Sequence, residues 1–425
     1  MARIWNKHKQ SSFDYAQDKN TPLKRKVFVG MSGGVDSSVA AYLLKEQGYD
    51  VVGIFINGYN VDGCAERDAE DARLAAEHIG IPFYSLDLRE EYFQYVVRYM
   101  IEGYKKGQTP NPDVMCNKEI KFGLFLKKAR ALGADYIATG HYIRRVPEFS
   151  IVNDQFSNKE TKIENSESAA GRENSLEIEN WKLKIAKDPN KDQSYFLWTL
   201  MQDQLRHSLF PIGNYMKSEV REIARKAGLP NAEKKDSQGI CFLGQVKLPE
   251  FLKEYIEPKK GDILDIEGNK VGEHEGVQFY TIGQRHINII QNSKIKSQKG
   301  KADKEPYYVV EKDVKSNVLV VAEGENNPTL FKKEVELTDV HFIVPTNVPN
   351  SPIRANWRMD VLVRVRYRQP LVGASLYKLK TIRQPADYKL HFKEPIKFIA
   401  SGQSAVFYLR ADDGEVEMLG GGIIV

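Results

Sequence analysis

Between Lys26 and His141, short apolar runs alternate with longer stretches whose apolar residues recur at helical spacing. Val27–Val29, Val51–Ile56, Pro82–Leu86 and Tyr136–Ala138 predict strands. Val39–Lys45, Ala65–Ile79, Tyr92–Tyr104 and Glu119–Leu132 predict the intervening helices, and Gly48 and Gly80 stand where helix stops are expected. The alternation predicts an α/β unit, a doubly wound parallel sheet with helices on both faces. Ligands then sit at the carboxyl ends of its strands.

The pattern lapses from Pro147 to Asn180, where "SNKETKIENSESAAGRENSLEIEN" is polar and poor in core residues, as a flexible insertion would be. It resumes at "WKLKIAKDPNKDQSYFLWTL". A shorter mixed segment, including the helical "KSEVREIARKAGL", runs from about Leu209 to Gly283. Beyond it come short strands, "PYYVVEKD", "NVLVVAEG", "VLVRVRYRQ", "PIKFIASGQSAVFYL" and "GGGIIV", which read as a small barrel or sandwich. The expected division is a polar tail at 1–25, the α/β domain at 26–208 with its insertion at 147–180, a central domain at 209–284, and a C-terminal β-barrel at 285–425.

Composition narrows the class of protein. The chain's 425 residues exceed one ordinary core, and no apolar run of about 18 residues suggests a membrane span. The first 24 residues lack the apolar centre of a secretory signal. Only Cys64, Cys116 and Cys241 occur, too few for a disulfide scaffold, which points to a reducing, cytoplasmic setting. No CxxC pair or His–Cys cluster suggests a zinc site, and no protein-bound metal is expected. From residue 285 onward, 22 basic side chains face 16 acidic ones, the balance of a module that meets a polyanion.

The candidate chemistry begins in "VFVGMSGGVDSSVAAYLL", a strand, a small-residue turn and a helix start. Gly30, Gly33 and Gly34 are spaced wrongly for GxGxxG, and the lysine of GxxxxGK[ST] is missing. Backbone N–H groups at a helix start can hold phosphates without a lysine, with Ser32, Ser37 and Ser38 nearby. Asp36 is out of place beside phosphates unless Mg²⁺ bridges them. A cradle without lysine suits a leaving pyrophosphate, hence adenylylation. "SGGVDS" resembles the signature of the PP-loop ATP pyrophosphatases.

Two cysteines have settings suited to sulfur chemistry. Cys116, in "TPNPDVMCNKEIKFG", follows an Asn–Pro–Asp turn at a helix start, with Lys118 and Lys121 close behind. That setting favours a thiolate, and Asp113 is near enough to act as acid or base. Cys241, in "AEKKDSQGICFLG", lies between glycines on a loop that could swing a thiol. Cys64, in "NVDGCAERD", has no comparable setting.

In "VLVRVRYRQ", a strand period of two would put Arg364, Arg366 and Arg368 on one face, about 6.6 Å apart, matching successive nucleic-acid phosphates. Together with "GMSGGVDSS", "ADYIATGHY", "NKDQSYFLWTL", "YTIGQR" and "GQSAVFY", these segments follow one another as in the tRNA-specific 2-thiouridylase family, which the chain resembles from about Lys26 to Val425. The resemblance implies that Gly30, Met31, Ser32, Gly33, Gly34, Val35, Asp36 and Ser37 bind ATP, with Ile56 and Gly140 flanking the adenosine. It implies adenylylation of C2 of the wobble uridine, then sulfur transfer from a persulfide on Cys241, with Cys116 assisting and ending as its disulfide partner. Asn111, Pro112 and Asp113 would surround the base. His141, Lys191, Asp192, Gln193, Arg366, Tyr367 and Gln403 would contact tRNA. The implied partners are tRNA and a persulfide donor, a cysteine desulfurase or sulfur relay protein, with no membrane.

Overall fold

A computed structural model describes residues 24–61, 63–152, 175–236, 246–285, 287, 305–343, 357–379, 387–411 and 413–425. Most of the expected tail, the middle of the insertion and Cys241 lie outside these residues.

The first sheet is parallel and runs in the order β3 (Phe83–Asp87), β2 (Asp50–Asn57), β1 (Lys26–Gly30), β4 (Tyr136–Thr139), β7 (Ser208–Leu209). Strand periodicity explains its two faces. Val27 and Val29 pack with Ala41, Ala72 and Ala75 of α1 (Val35–Glu46) and α2 (Cys64–Ile79). Phe28 points the other way, into a cluster with Phe122, Phe125 and Leu126. This is the doubly wound arrangement the alternation predicts. The order reverses between β1 and β4, which opens a crevice at their carboxyl ends.

The helical stretch at 112–131 starts seven residues before the periodicity suggests. Asn111 caps it by accepting from the Asp113 and Val114 amides, and Pro112 sits at the first position, where its missing N–H costs nothing. Its Cys116–Phe125 section is π-helical, and so is Phe93–Val97 in the helical stretch at 89–105.

Two boundaries move. Strands β5 (Arg144–Val152) and β6 (Ser175–Lys184) take in both ends of the stretch expected to be an insertion, because they pair with each other as a hairpin. The central sheet, β8 (Gly261–Asp265), β9 (Lys270–His274), β10 (Tyr307–Asp313) and β11 (Val318–Glu323), crosses the expected break at 284/285. β11 lies parallel to β8, and Ile263, Val309, Leu319 and Val321 share one core.

The last unit is a closed barrel of β12 (Phe331–Phe342), β15 (Tyr388–Lys397), β14 (Val372–Lys378), β13 (Arg358–Arg364), β16 (Ser404–Arg410) and β17 (Val416–Ile424), with β12 also paired to β17. The start of β17 pairs with β6 as well, so a hairpin from the α/β domain continues the barrel sheet. Beneath this seam, Arg364 Nη1 meets Asp192 Oδ2 at 2.9 Å, and the Asp192 carboxylate is 2% exposed. Ser194 Oγ donates to the same oxygen, 2.8 Å away, and lies 2.9 Å from the Tyr408 hydroxyl.

This pair predicts a clear stability effect. Arg364→Met strips a buried carboxylate of its cation, while its amide and hydroxyl donors remain. The expected loss is about 3 kcal/mol, seen as a lower urea midpoint. An unchanged midpoint would mean that the ion pair does not hold the barrel in place.

Candidate active site

At the carboxyl end of β1 the chain turns through Met31–Gly34 into α1. The Met31 amide donates to Ile54 O at 2.8 Å, which ties the turn to β2. Gly33 has φ +76°, and a Cβ there would lie 2.3 Å from Asp68 O, so only glycine fits. Gly34 is the N-cap of α1 and no side chain caps that end, which leaves first-turn amides for an anion. Ser37 braces the turn: its hydroxyl donates to Gly34 O and accepts from the Ser32 amide, each at 3.1 Å. Val35 is buried in the core behind α1.

Across the crevice, Gly140 follows β4. A Cβ on it would stand 2.7 Å from the Ser37 nitrogen, so the two backbones touch. Ile56, at the end of β2, is partly buried against the cores on either side. Ser32, Gly33, Gly34, Ser37, Ile56 and Gly140 thus gather at the carboxyl ends of the strands, while Met31 and Val35, also expected to bind ATP, are buried in the cores on either side of α1. Asn231 joins them unannounced by the sequence, with its amide donating to Gly33 O and Ser38 Oγ at 2.9 Å.

Asp36 differs from expectation. Lys217 Nζ lies 2.7 and 2.9 Å from its two oxygens, and the Tyr142 hydroxyl donates to Oδ1 at 2.8 Å. Both oxygens are therefore engaged by donors. Among the described residues no group of three or more His, Cys, Asp or Glu could hold a metal. Without nucleotide, the Lys217 ammonium is paired with Asp36, where the loop sequence suggests a bridging Mg²⁺. The same ammonium reaches Asp236 at 2.8 Å, which also binds Lys191 at 2.6 Å and Arg221 at 2.9 Å. Burial works against the Asp236 carboxylate, but the bonds from Lys191 and Lys217 prevail and pull its pKa down to about 2. One sequence signal for Lys217 existed: it opens a helix, where the dipole disfavours a cation.

Cys116 lies four residues beyond Pro112, past the helix start and within the π-helical section. It is 4% exposed, among Leu88, Tyr92, Val96 and Ile120. Burial raises its thiol pKa; Lys121 and a hydrogen bond with Tyr92 pull it back only in part. The expected thiolate is therefore not the resting form. Helix-end fields fade within one turn, and Lys118 is spent on Glu119 at the surface. Asp113 sits in the first turn of this helix, and Cys64 opens α2.

The barrel closes over this helix start. The Thr109 amide donates to Ser401 O at 2.7 Å, and a Cβ on Gly402 would meet Gln108 and Thr109 at about 3 Å. The Tyr195 hydroxyl is within hydrogen-bond reach of Ser404 O (2.9 Å), Gln403 Oε1 (3.2 Å) and the Asn111 side chain. Phe196 and Tyr367 stack obliquely with centroids 4.5 Å apart. Sequence reasoning missed Tyr195 and Phe196, whose role arises only from the docking of the two domains.

Of the expected RNA contacts, His141 and Asp192 are buried, while Gln193 and Arg366 are partly exposed and bonded within the chain. His141 is buried beside Phe122, with Nδ1 2.8 Å from Thr139 Oγ1; burial, then Lys121, keep its pKa well below the usual range, so it is neutral. Asp192 holds Arg364. The Gln193 side chain accepts from the Tyr142 amide at 2.9 Å. Arg366 donates to Ile282 O at 2.7 Å. The arginine ladder also fails, since β13 ends at Arg364. The chain then turns, with Gln369 N bonded to Arg366 O and Arg368 at φ +63°. Lys191, Arg364 and Arg368 nevertheless line one cleft of about 430 Å³ with Pro189, Asn190, Gln369 and Pro370.

Three family descriptions match the chain in succession: tRNA methyl transferase HUP domain over residues 25–245, tRNA methyl transferase PRC-barrel domain over 249–323, and aminomethyltransferase beta-barrel domain over 332–424. Among curated relatives, the tRNA-specific 2-thiouridylase MnmA of Idiomarina loihiensis is 42% identical over 411 residues, spanning 94% of this chain and 96% of the relative. The protein of the same name from Colwellia psychrerythraea is 42% identical over 415 residues, 96% of this chain and 98% of the relative. Its namesake in Listeria monocytogenes is 41% identical over 404 residues, 94% of each.

The buried thiol gives a pH prediction. In a Cys64→Ser/Cys241→Ser chain, Cys116 is the one remaining thiol, and its ultraviolet thiolate titration should have a midpoint above the ordinary value of about 8.5. Lys121→Met should move it higher still, because an ammonium that favours the anion is gone. A midpoint at or below the ordinary value would contradict the burial argument.

Proposed function

Since the chain belongs to the tRNA-specific 2-thiouridylase family, a sulfurtransferase family, we propose that its sheet crevice adenylylates a tRNA uridine and that Cys241 and Cys116 replace the activated oxygen with sulfur. ATP enters as the substrate of the cradle. The observation that carries this reading is positional. The uncapped α1 amides and the helix bearing Asn111, Asp113 and Cys116 both pack on the first sheet, and the barrel turn at 401–403 closes on that helix start. The full-length relatives, more than the methyl transferase wording of the domain descriptions, indicate the activity.

The C2 oxygen of the wobble uridine attacks the α-phosphorus, and pyrophosphate leaves along the α1 amides. The terminal sulfur of a Cys241 persulfide then adds at C2 and AMP departs, which leaves the sulfur bonded to both C2 and Cys241. Cys116 attacks the Cys241 sulfur and breaks the S–S bond. The electron pair goes to the sulfur on C2, giving 2-thiouridine and a Cys116–Cys241 disulfide. A thiol reductant reopens the disulfide for the next round. Asp113, in the first turn of the Cys116 helix, takes the Cys116 proton at this step. That assistance is needed because the buried thiol rests protonated.

Around the base, Asn111, Asp113 and Tyr367 form the receiving surface, with Gln403 on the barrel side, while Pro112, expected beside the base, is buried and starts the helix. Lys191 and Arg368 contact the RNA backbone, while His141, Asp192, Gln193 and Arg366 act by holding the walls. Any Mg²⁺ comes bound to the nucleotide. The persulfide comes from a donor protein, a cysteine desulfurase or sulfur relay protein. The enzyme works in the cytoplasm, where ATP and tRNA meet. Among the described residues no helix is long and apolar enough to cross a membrane.

Mass spectrometry of tRNA nucleosides after incubation with ATP, Mg²⁺ and a persulfide donor tests the reading. Wild type and Cys64→Ser should yield thiouridine, and Cys241→Ser none. Cys116→Ser should still take up the persulfide and consume ATP, yet release no thiolated tRNA. Full thiolation by Cys241→Ser, or persulfide on Cys116 alone, would reverse the roles.

A further inference from the structure

Lys217 occupies a position that its own helix opposes. It is the first residue of the Lys217–Lys226 helix, so its charge stands at the positive end of the dipole. Its side chain is only 12% exposed, and ordering a lysine there costs rotamer freedom and hydration. The backbone is fixed as well: the Lys217 amide donates to Asp188 Oδ2 at 3.0 Å, and Asp188 is itself buried.

An ammonium has three N–H donors. Here they face three carboxylate oxygens, two on Asp36 and one on Asp236. The Asp236 contact is redundant, because Lys191 and Arg221 already bind that carboxylate. The Asp36 contacts are not redundant, because besides Lys217 this carboxylate accepts from the neutral Tyr142 hydroxyl. Asp36 is the second residue of α1, so the ammonium is tied to the turn whose amides no side chain caps. One donor can therefore be given up to another anion while Asp236 stays neutralised.

We propose that Lys217 is the phosphate-binding cation of this cradle, contributed by a distant helix in place of the missing loop lysine, with Asp36 holding it at the amides. When ATP binds, a β- or γ-phosphate oxygen takes the donor now spent on Asp236. As the bond to the α-phosphorus breaks, the ammonium stabilises the charge gathering on pyrophosphate. The inference rests on the reading that the cradle binds ATP.

Calorimetric titration of the full chain with α,β-methylene-ATP and with AMP separates the phosphate tail from the nucleoside end. Lys217→Met should weaken binding of the methylene analogue roughly 10- to 100-fold, the range for one charged hydrogen bond, with AMP changed less than about 2-fold. Lys217→Arg should restore most of the loss, and Asp236→Asn should leave analogue binding unweakened. Unchanged analogue binding in Lys217→Met, or equal losses for analogue and AMP, would overturn the assignment. If Lys217→Met does not fold, weaker analogue binding in Asp236→Asn would do the same. Failure of wild type to bind either nucleotide would instead defeat the ATP reading itself.

Discussion

The turn from β1 into α1 is held by backbone approaches so close that only glycine fits, and the α/β domain is built around them. Gly33 is pressed against Asp68 O, and Gly140 against the Ser37 nitrogen. Asn231 locks the turn from a third side. The reversal of strand order between β1 and β4 provides the opening, because neighbouring crossovers leave on opposite faces there.

The barrel supplies the other wall of the site, and it is fixed by polar burial as well as by apolar packing. Asp192, Arg364, Ser194 and Tyr408 form one connected group beneath the seam. Such networks are costly when incomplete, so each member constrains the others. Tyr195 extends this order to Asn111 and Gln403, residues of different domains. Asp192 and Gln193, which the sequence suggests as RNA contacts, are here bonded to Arg364 and Ser194 and to the Tyr142 amide.

The thiol shows a tension between packing and chemistry. Cys116 has the surroundings of a core residue, with Lys121 as a nearby cation pulling the other way. A thiol kept protonated until a proton acceptor is in place does not react early with other disulfides or oxidants. The π-helical widening that begins at Cys116 sets it apart from the regular helix before it.

The sequence by itself determined the strand–helix alternation, the doubly wound sheet and the cradle, down to Gly33 and Gly34. These follow from the types of consecutive residues: apolar period sets the faces of a strand, and glycine sets which backbone turns are open. It also marked Cys116, its Asn–Pro cap and the string of barrel strands. Tertiary structure alone decided which cation meets Asp36, because Lys217 is 181 residues away along the chain and periodicity carries no such distance. It decided that Cys116 rests as a thiol, since burial by Leu88 and Val96 outweighs the pull of Lys121 and Tyr92. It also decided that Arg364 is structural and that β13 stops before the arginines can form a ladder. Charge, protonation and access depend on what lies across space, and in this chain that is settled where the barrel, the sheet and the Lys217 helix meet.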